Sequence, residues 1–312
     1  MHTSGTLDEL DHLLVTALQT APRADWRRIG AAIGVDGSTA ARRWARLTGA
    51  GLAWLACFPV AVEWMTPVVT FIEVDCAPGR LNEVAAELVE DPHVFNLEHV
   101  TGGRDLIVTV VLRDHAELAR YVGFRLGRLA GVTATRTQIA TTLHSEGSRW
   151  RLDRLDARQR DALVRDRPHE PGDRPLRTAD RELARLLVED CRQPVARLAE
   201  RTGLSPATVR RRLARMERGG ALMYRCEVAR SLSGWPVTVY LWASAPPDEV
   251  ARLAGRIAGL RETRMCASLS GADNVLFVVW LRSTDRIQSF ETALRRDFPQ
   301  LTITDARWGC GS

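Results

Sequence analysis

The run SPATVRRRLARMERGG, Ser205 to Gly220, sets five arginines against one glutamate, with Val209, Leu213 and Met216 threaded between them. Each guanidinium is a planar fork of donors that matches phosphate oxygens and the acceptor edge of guanine. Wound as a helix at about 100° per residue, Val209, Leu213 and Met216 fall on one apolar stripe. Arg211 and Arg218 then point away from it, with Ala207, Ala214 and Arg215 beside them and Thr208 and Arg210 towards the N-terminal end. Small residues flanked by arginines make a face that approaches a groove closely while reaching into it. Arg212 lies nearer the stripe, where it either clamps a phosphate or pairs with a neighbouring acid. A charged face alone is also what any solvated helix shows. Position decides for binding: Ser205 is a good N-cap, Pro206 suits the first helical position, and a short helix and a Gly turn come before. That is the helix-turn-helix order, in which the helix after the turn reads the groove.

A second group of residues suits small-molecule chemistry. Gly102 and Gly103, in VTGGRDLIV, sit at a predicted hairpin tip where the backbone can approach a ligand and offer N–H groups to a carboxylate, while Asp105 offers a carboxylate to an ammonium. Together they suit an amino-acid-like zwitterion. The other reading is a plain β-turn whose glycines serve only the backbone. Neither metal nor cofactor is expected. Cysteines 57, 76, 191, 226, 266 and 310 lie far apart with no C-x-x-C pair, and the seven histidines, His99 among them, scatter without ligand spacing.

These residues belong to one unit written twice. At an offset of 169 residues Asp11 falls on Asp180, Gly34 on Gly203, Thr39 on Thr208, Arg42 and Arg43 on Arg211 and Arg212, Cys57 on Cys226, and Gly102 on Gly271. The first copy of the arginine helix therefore presents Ser38, Arg42 and Arg46 outwards, with Arg43 at the edge and Thr39 a further candidate contact. The second copy of the turn carries Gly271 and Asn274. In each copy three helices (7–18, 26–33 and 38–47 in the first) precede a βαββαβ order: strand 68–74, helix 81–90, strands 94–100 and 105–112, helix 115–129 and strand 132–143. The expected fold class is α+β multidomain, two copies of a winged-helix-like helix-turn-helix followed by a ferredoxin-like sandwich. The expected boundaries are 1–60 and 61–143, a charged helix (155–164) and Pro/Gly linker within 144–175, then 176–229 and 230–312.

With 312 residues, 45% of them hydrophobic, the chain can build several cores, and its net charge of +5 acts only where it clusters. All 43 basic residues are arginine, as a GC-rich genome also produces. The N-terminus lacks signal-peptide order and no apolar run reaches membrane length, so no membrane partner and a cytoplasmic location are expected. Cys57 and Cys226, at equivalent places, read as small buried hydrophobes or as a redox switch. Trp54, Trp64, Trp235 and Trp308 read as packing or interface residues.

The sequence resembles the Lrp/AsnC (feast/famine) transcriptional regulators over nearly all of the chain outside the linker. The likeness rests on LDELD (7–11), Arg23, Thr39 with Arg42-Arg43, Gly51-Leu52, VTGGRDLIV (100–108) and GVTATRTQI (131–139). It implies a winged-helix-like DNA-binding domain and an oligomerising domain that binds an amino-acid-like effector, here fused in tandem. The implied partners are double-stranded DNA, such an effector, and the α/β halves themselves, pairing within the chain or between chains. Four positions depart from the pattern: Asp36 stands where a serine opens the third helix, Asn274 replaces the aspartate of the second turn, and Asp305-Ala306 replaces Arg136-Thr137. The chain is not expected to be an enzyme. The rival reading is a tetrapyrrole (siroheme-type) decarboxylase of haem biosynthesis, which resembles the same architecture; no His-x-Tyr-x-Arg run occurs in VTGGRDLIVTVV or LSGADNVLFVVW.

Overall fold

The computed structural model describes residues 7–59, 67–147, 151–163 and 176–310. The first repeat runs α1 (Glu9–Thr20), α2 (Trp26–Ile33), α3 (Gly37–Gly49), β1 (Ala53–Pro59), β2 (Val68–Cys76), α4 (Leu81–Val89), β3 (Val94–His99), β4 (Leu106–Leu112), α5 (His115–Arg120) and β5 (Val132–Ser145). After α6 (Ala157–Leu163) the second repeats the order: α7 (Thr178–Glu189), α8 (Val195–Thr202), α9 (Pro206–Arg218), β6 (Leu222–Val228), β7 (Val237–Ser244), α10 (Val250–Ala258), β8 (Thr263–Leu269), β9 (Val275–Leu281), α11 (Arg286–Asp297) and β10 (Thr302–Gly309). Both βαββαβ halves form as the sequence predicts. The helix expected over 115–129 loosens after Arg120 into a wider turn, Tyr121–Leu126, which places the Tyr121 hydroxyl 3.3 Å and Arg125 Nε 3.0 Å from Asp91.

The chain divides by kind rather than by repeat. Described residues up to 59 and those from 151 to 233 form one compact unit, and residues 67–147 and 234–310 form the other. The first unit holds both helix-turn-helix modules. In each, Asp25 or Pro194 begins the second helix, and Gly34 or Gly203 ends it at a φ of 79° or 68°, a left-handed conformation that glycine adopts without strain. Strands β1 and β6, which the sequence reading did not separate from the helices, pair antiparallel with Leu55 opposite Cys226 and Cys57 opposite Tyr224. The packing is reciprocal. Cys57 of β1 lies in a core with Leu183, Leu187 and Leu213 of the second repeat, and the Cys226 carbonyl of β6 accepts from Gln19 Nε2 of the first.

Two equivalent arginines close the same junction. Arg23 donates to the carbonyls of Cys191 and Gln193, while Arg192 donates to those of Pro22 and Ala24 and lies over the Trp26 ring at 3.9 Å. Burial depresses the Arg192 pKa to about 10. The thiols of Cys57 and Cys226 are buried and pushed up, Cys57 to about 12, so they are held protonated and pack as small hydrophobes.

The charged helix expected over 155–164 forms as α6, and the stretch before it packs as well. Leu152, Leu155 and Leu163 are buried in the helical unit, the Leu152 N–H donates to Gln19 Oε1 at 2.9 Å, and Arg28 Nε donates to the Ala162 carbonyl at 2.8 Å. Leu152 and Leu155, in the stretch before α6, and Leu163 at its end carry 151–163 onto α1 and α2. The Pro/Gly stretch 164–175 and Trp64 lie outside the described residues.

The second unit is built on one eight-stranded antiparallel sheet in the order β10-β7-β9-β8-β5-β2-β4-β3. Strand β5 spans both repeats, pairing with β2 over Val132–Ile139 and with β8 over Ala140–Ser145. At the other end Val100 bridges Gly309, with Thr101 N to Trp308 O at 2.9 Å and Cys310 N to His99 O at 2.8 Å, so the outer strands meet and the sheet closes. Alternation sorts the side chains: Ile72 and Val74 face α4 and α5, whereas Phe71 faces inwards with Ile107, Tyr240, Trp242, Leu276 and Val278. Among the described residues no helix is long and apolar enough to cross a membrane.

Candidate nucleic-acid interface

The third helix of each module is held by a buried acid on the first. Asp11, 1% exposed, accepts from Arg43 Nη1 at 3.0 Å and from Arg46 Nη2 at 2.5 Å. Asp180, fully buried, accepts from Arg212 Nη1 at 2.9 Å and Arg215 Nη2 at 2.5 Å. Arg43 also reaches Asp8 at 2.7 Å. Two of the candidate readers have a second role: Arg46, still exposed, and Arg215, half-buried, also brace α3 and α9 against α1 and α7. For Arg43 and Arg212 the acid-pairing alternative is the one observed. What remains outward differs between the copies. On α9, Arg210 and Arg211 are exposed and make no ion pair among the described residues, and Arg218 is half-exposed in the last turn. On α3, Arg42 stands at the place of Arg211 and Ala41 at that of Arg210.

The helix openings differ in charge. Ser205 caps α9 through its Oγ, which accepts from Thr208 N at 3.2 Å and donates to Thr208 Oγ1 at 3.0 Å, a neutral cap. Asp36 caps α3 and gathers four donors: Ser38 N (2.8 Å), Ser38 Oγ (2.6 Å), Thr39 N (3.0 Å) and Thr39 Oγ1 (2.7 Å). The hydroxyls of Ser38 and Thr39 are thus turned onto their own cap. Those hydrogen bonds, Ser38's first, hold the Asp36 carboxyl far below the usual carboxylate range. A fixed negative charge stands where a helix N-terminus would otherwise receive a phosphate.

The glycine turns are also brought into view. Gly102 has a φ of 95°, and a Cβ there would collide with the guanidinium of Arg307, which itself pairs with Asp305 at 2.7 Å. Gly103 is exposed beside it, and Gly271 has a φ of 123° with open space around it. Asp105 accepts the Cys76 N–H at Oδ2 (2.6 Å), and its other oxygen makes no hydrogen bond among the described residues. Asn274 accepts the Ala245 N–H at Oδ1 (2.9 Å) and donates Nδ2 to the Ala245 carbonyl (2.8 Å), so both ends of its amide are engaged. Both residues tie the turn to the end of the first strand of their half, which is a structural use the ligand reading did not include.

A model of the AsnC-type helix-turn-helix domain matches residues 7–48 and 179–217, and a model of the Lrp/AsnC ligand binding domain matches residues 69–149. An uncharacterized HTH-type transcriptional regulator of Pyrococcus horikoshii is 32% identical over 146 residues, covering 45% of this chain and 90% of that protein. The chain belongs to the Lrp/AsnC family. The HTH-type transcriptional regulator FL11 of Pyrococcus furiosus is 28% identical over 143 residues, covering 46% of this chain and 94% of its own. Among solved structures, the siroheme decarboxylase NirDL matches 97% of this chain and 91% of its own with a TM-score of 0.61 at 14% identity, a likeness of fold.

Within this Lrp/AsnC chain, sequence reasoning missed the acids that hold the reading helices. The signal was present: Asp11 and Asp180 recur at the same place among buried leucines, and an acid on an apolar stripe requires a cationic partner. Arg307 was missed because β10 reaches Gly102 only when the sheet closes, a contact no local spacing encodes.

Proposed function

We propose that this chain is a sequence-specific DNA-binding transcription regulator that reads chiefly through α9, with α3 in a subordinate role. The observation that carries this is the pair of exposed, unpaired arginines, Arg210 and Arg211, behind a neutral cap on a helix held in place by a buried acid. Selecting fragments of the native genome bound by the full chain tests it. One enriched motif, lost when Arg211→Ala is used instead, is expected. A shallow dependence on sequence in both would instead indicate an architectural protein that packages DNA.

The finer assignment is an amino-acid-like effector at the first turn. Gly102 and Gly103 supply backbone, and the second oxygen of Asp105 remains for an ammonium, whereas Asn274 has neither a charge nor an unengaged oxygen. Asn274 also shows that an amide fits this place, so Asp105→Asn is expected to fold and to weaken binding markedly. Hydrogen bonds to ionised groups contribute about 1.5–3 kcal/mol against about 0.5–1.5 for neutral ones, a loss of about tenfold in affinity. Calorimetry against a panel of amino acids is expected to give one site per chain; two equal sites, or undiminished binding in Asp105→Asn, would leave the glycines as a turn only.

The second reading, a tetrapyrrole decarboxylase, draws on the whole-length fold likeness to NirDL. It predicts a shift of the porphyrin's absorbance band when an iron porphyrin is mixed with the chain; the regulator reading predicts no shift.

A further inference from the structure

At the edge of the second unit, the loop after α10, the end of β9 and one side of α11 enclose a cavity of about 530 Å³, within the usual range for a small-molecule site. Its floor is apolar, with Leu281, Phe290, Leu294 and Phe298. Three arginines stand around its mouth. Arg261 lies 5.5 Å and Arg282 5.0 Å from the centroid of the buried Trp235 ring, and Arg286 opens α11 beside them. None of the three makes an ion pair among the described residues. Of the two acids on the rim, Asp297 is paired with Arg296 at 2.7 Å and Glu262 is the other.

The first repeat serves as an internal comparison. There the same place is answered by its own acids: Asp91 takes Tyr121, Arg125 and His93, and Glu117 takes the Arg113 N–H at 2.6 Å. In the second repeat Leu260 stands for Asp91, Arg286 for Glu117, Phe290 for Tyr121 and Leu294 for Arg125. The carboxylates at these two places are absent and the interior has become apolar, and cationic forks stand at the mouth beside Glu262 and Asp297. Guanidiniums stacked on an indole are held in position while their N–H edges remain available.

We propose that this cavity is a binding site for a small organic anion, a carboxylate on an aromatic body, with the ring on the apolar floor and the carboxylate between Arg282 and Arg286. The site is independent of the DNA-reading role and of the Gly102 turn, since it shares no residue with either.

Calorimetry on the full chain with phenylpyruvate as probe tests the proposal. Saturation near one probe per chain is expected, weakening as salt is raised. Arg282→Ala and Arg286→Glu, the second restoring the charge found in the first repeat, change exposed side chains and are each expected to lower affinity about tenfold or more. The cation 2-phenylethylamine and inorganic phosphate are expected not to bind, the one for its charge and the other for lack of an apolar body. Undiminished binding in both variants, equal binding of 2-phenylethylamine or of phosphate, or no heat at millimolar probe would each overturn it.

Discussion

Asp180→Ala is expected to destabilise the helical unit by about 3–5 kcal/mol, the usual cost of removing one partner from a buried ion pair. The carboxylate is fully buried and is the meeting point of Arg212, Arg215 and the Arg177 N–H, which donates at 2.8 Å. Its loss leaves guanidiniums facing a cavity, and Arg212 Nε already lacks a hydrogen bond. Because α7 packs on β1 of the other repeat, the damage is expected to reach both modules. The pH dependence follows from the same contacts. Burial pushes the Asp180 pKa up, but the Arg212 hydrogen bond, the Arg177 N–H and the nearby charges outweigh it and hold it below its ordinary value. A depressed folded-state pKa gives stability that is present above the unfolded value, about 3.9, and is lost as pH falls through the folded one. Urea midpoints at neutral pH and near pH 3 are therefore expected to differ more for the parent chain than for Asp180→Ala. A neutral-pH loss below about 1 kcal/mol would mean that water reaches these arginines after all.

The duplication made most of the fold legible. One register carried both helix-turn-helix modules and both βαββαβ halves, and the periodicities of helix and strand are local properties that a single chain displays. The reciprocal assembly was not legible. Strands β1 and β6 are short, and each completes the core of the other repeat, so neither pattern is self-sufficient. Arg23 was visible as a motif residue, but its acceptors are carbonyls of the other copy, which sequence spacing does not reveal. For the arginine helix, angular position identified the buried stripe correctly but did not show that Arg46 and Arg215 also pair with a buried acid. A long guanidinium can bend back across the surface from an outward Cα to a buried acid, and helical angle fixes only the start of that path.

Arg211→Ala is expected to cost about 1–3 kcal/mol at a specific DNA site, and Arg42→Ala less, because the two copies present different charge at the place where DNA would lie. On α9 the outward cations are Arg210 and Arg211, and the opening turn carries the uncharged Ser205. On α3, Arg42 follows an Asp36 carboxylate kept ionised by Ser38 and Thr39. A phosphate approaching α9 meets open N–H dipoles and two forks, while one approaching α3 meets a like charge. Removing that charge should therefore help. Asp36→Ser, which gives the first module the cap of the second, is expected to raise affinity for DNA and to steepen its salt dependence, each added phosphate contact contributing a slope of about −0.9 in log K against log salt. The hydroxyl still accepts from the helix N–H groups, as Ser205 does, so the helix keeps its cap. Fluorescence anisotropy titrations of the four proteins across a salt series would measure both quantities. Equal losses for Arg211→Ala and Arg42→Ala would end the asymmetry, and an unchanged slope in Asp36→Ser would show that α3 does not face the phosphates at all.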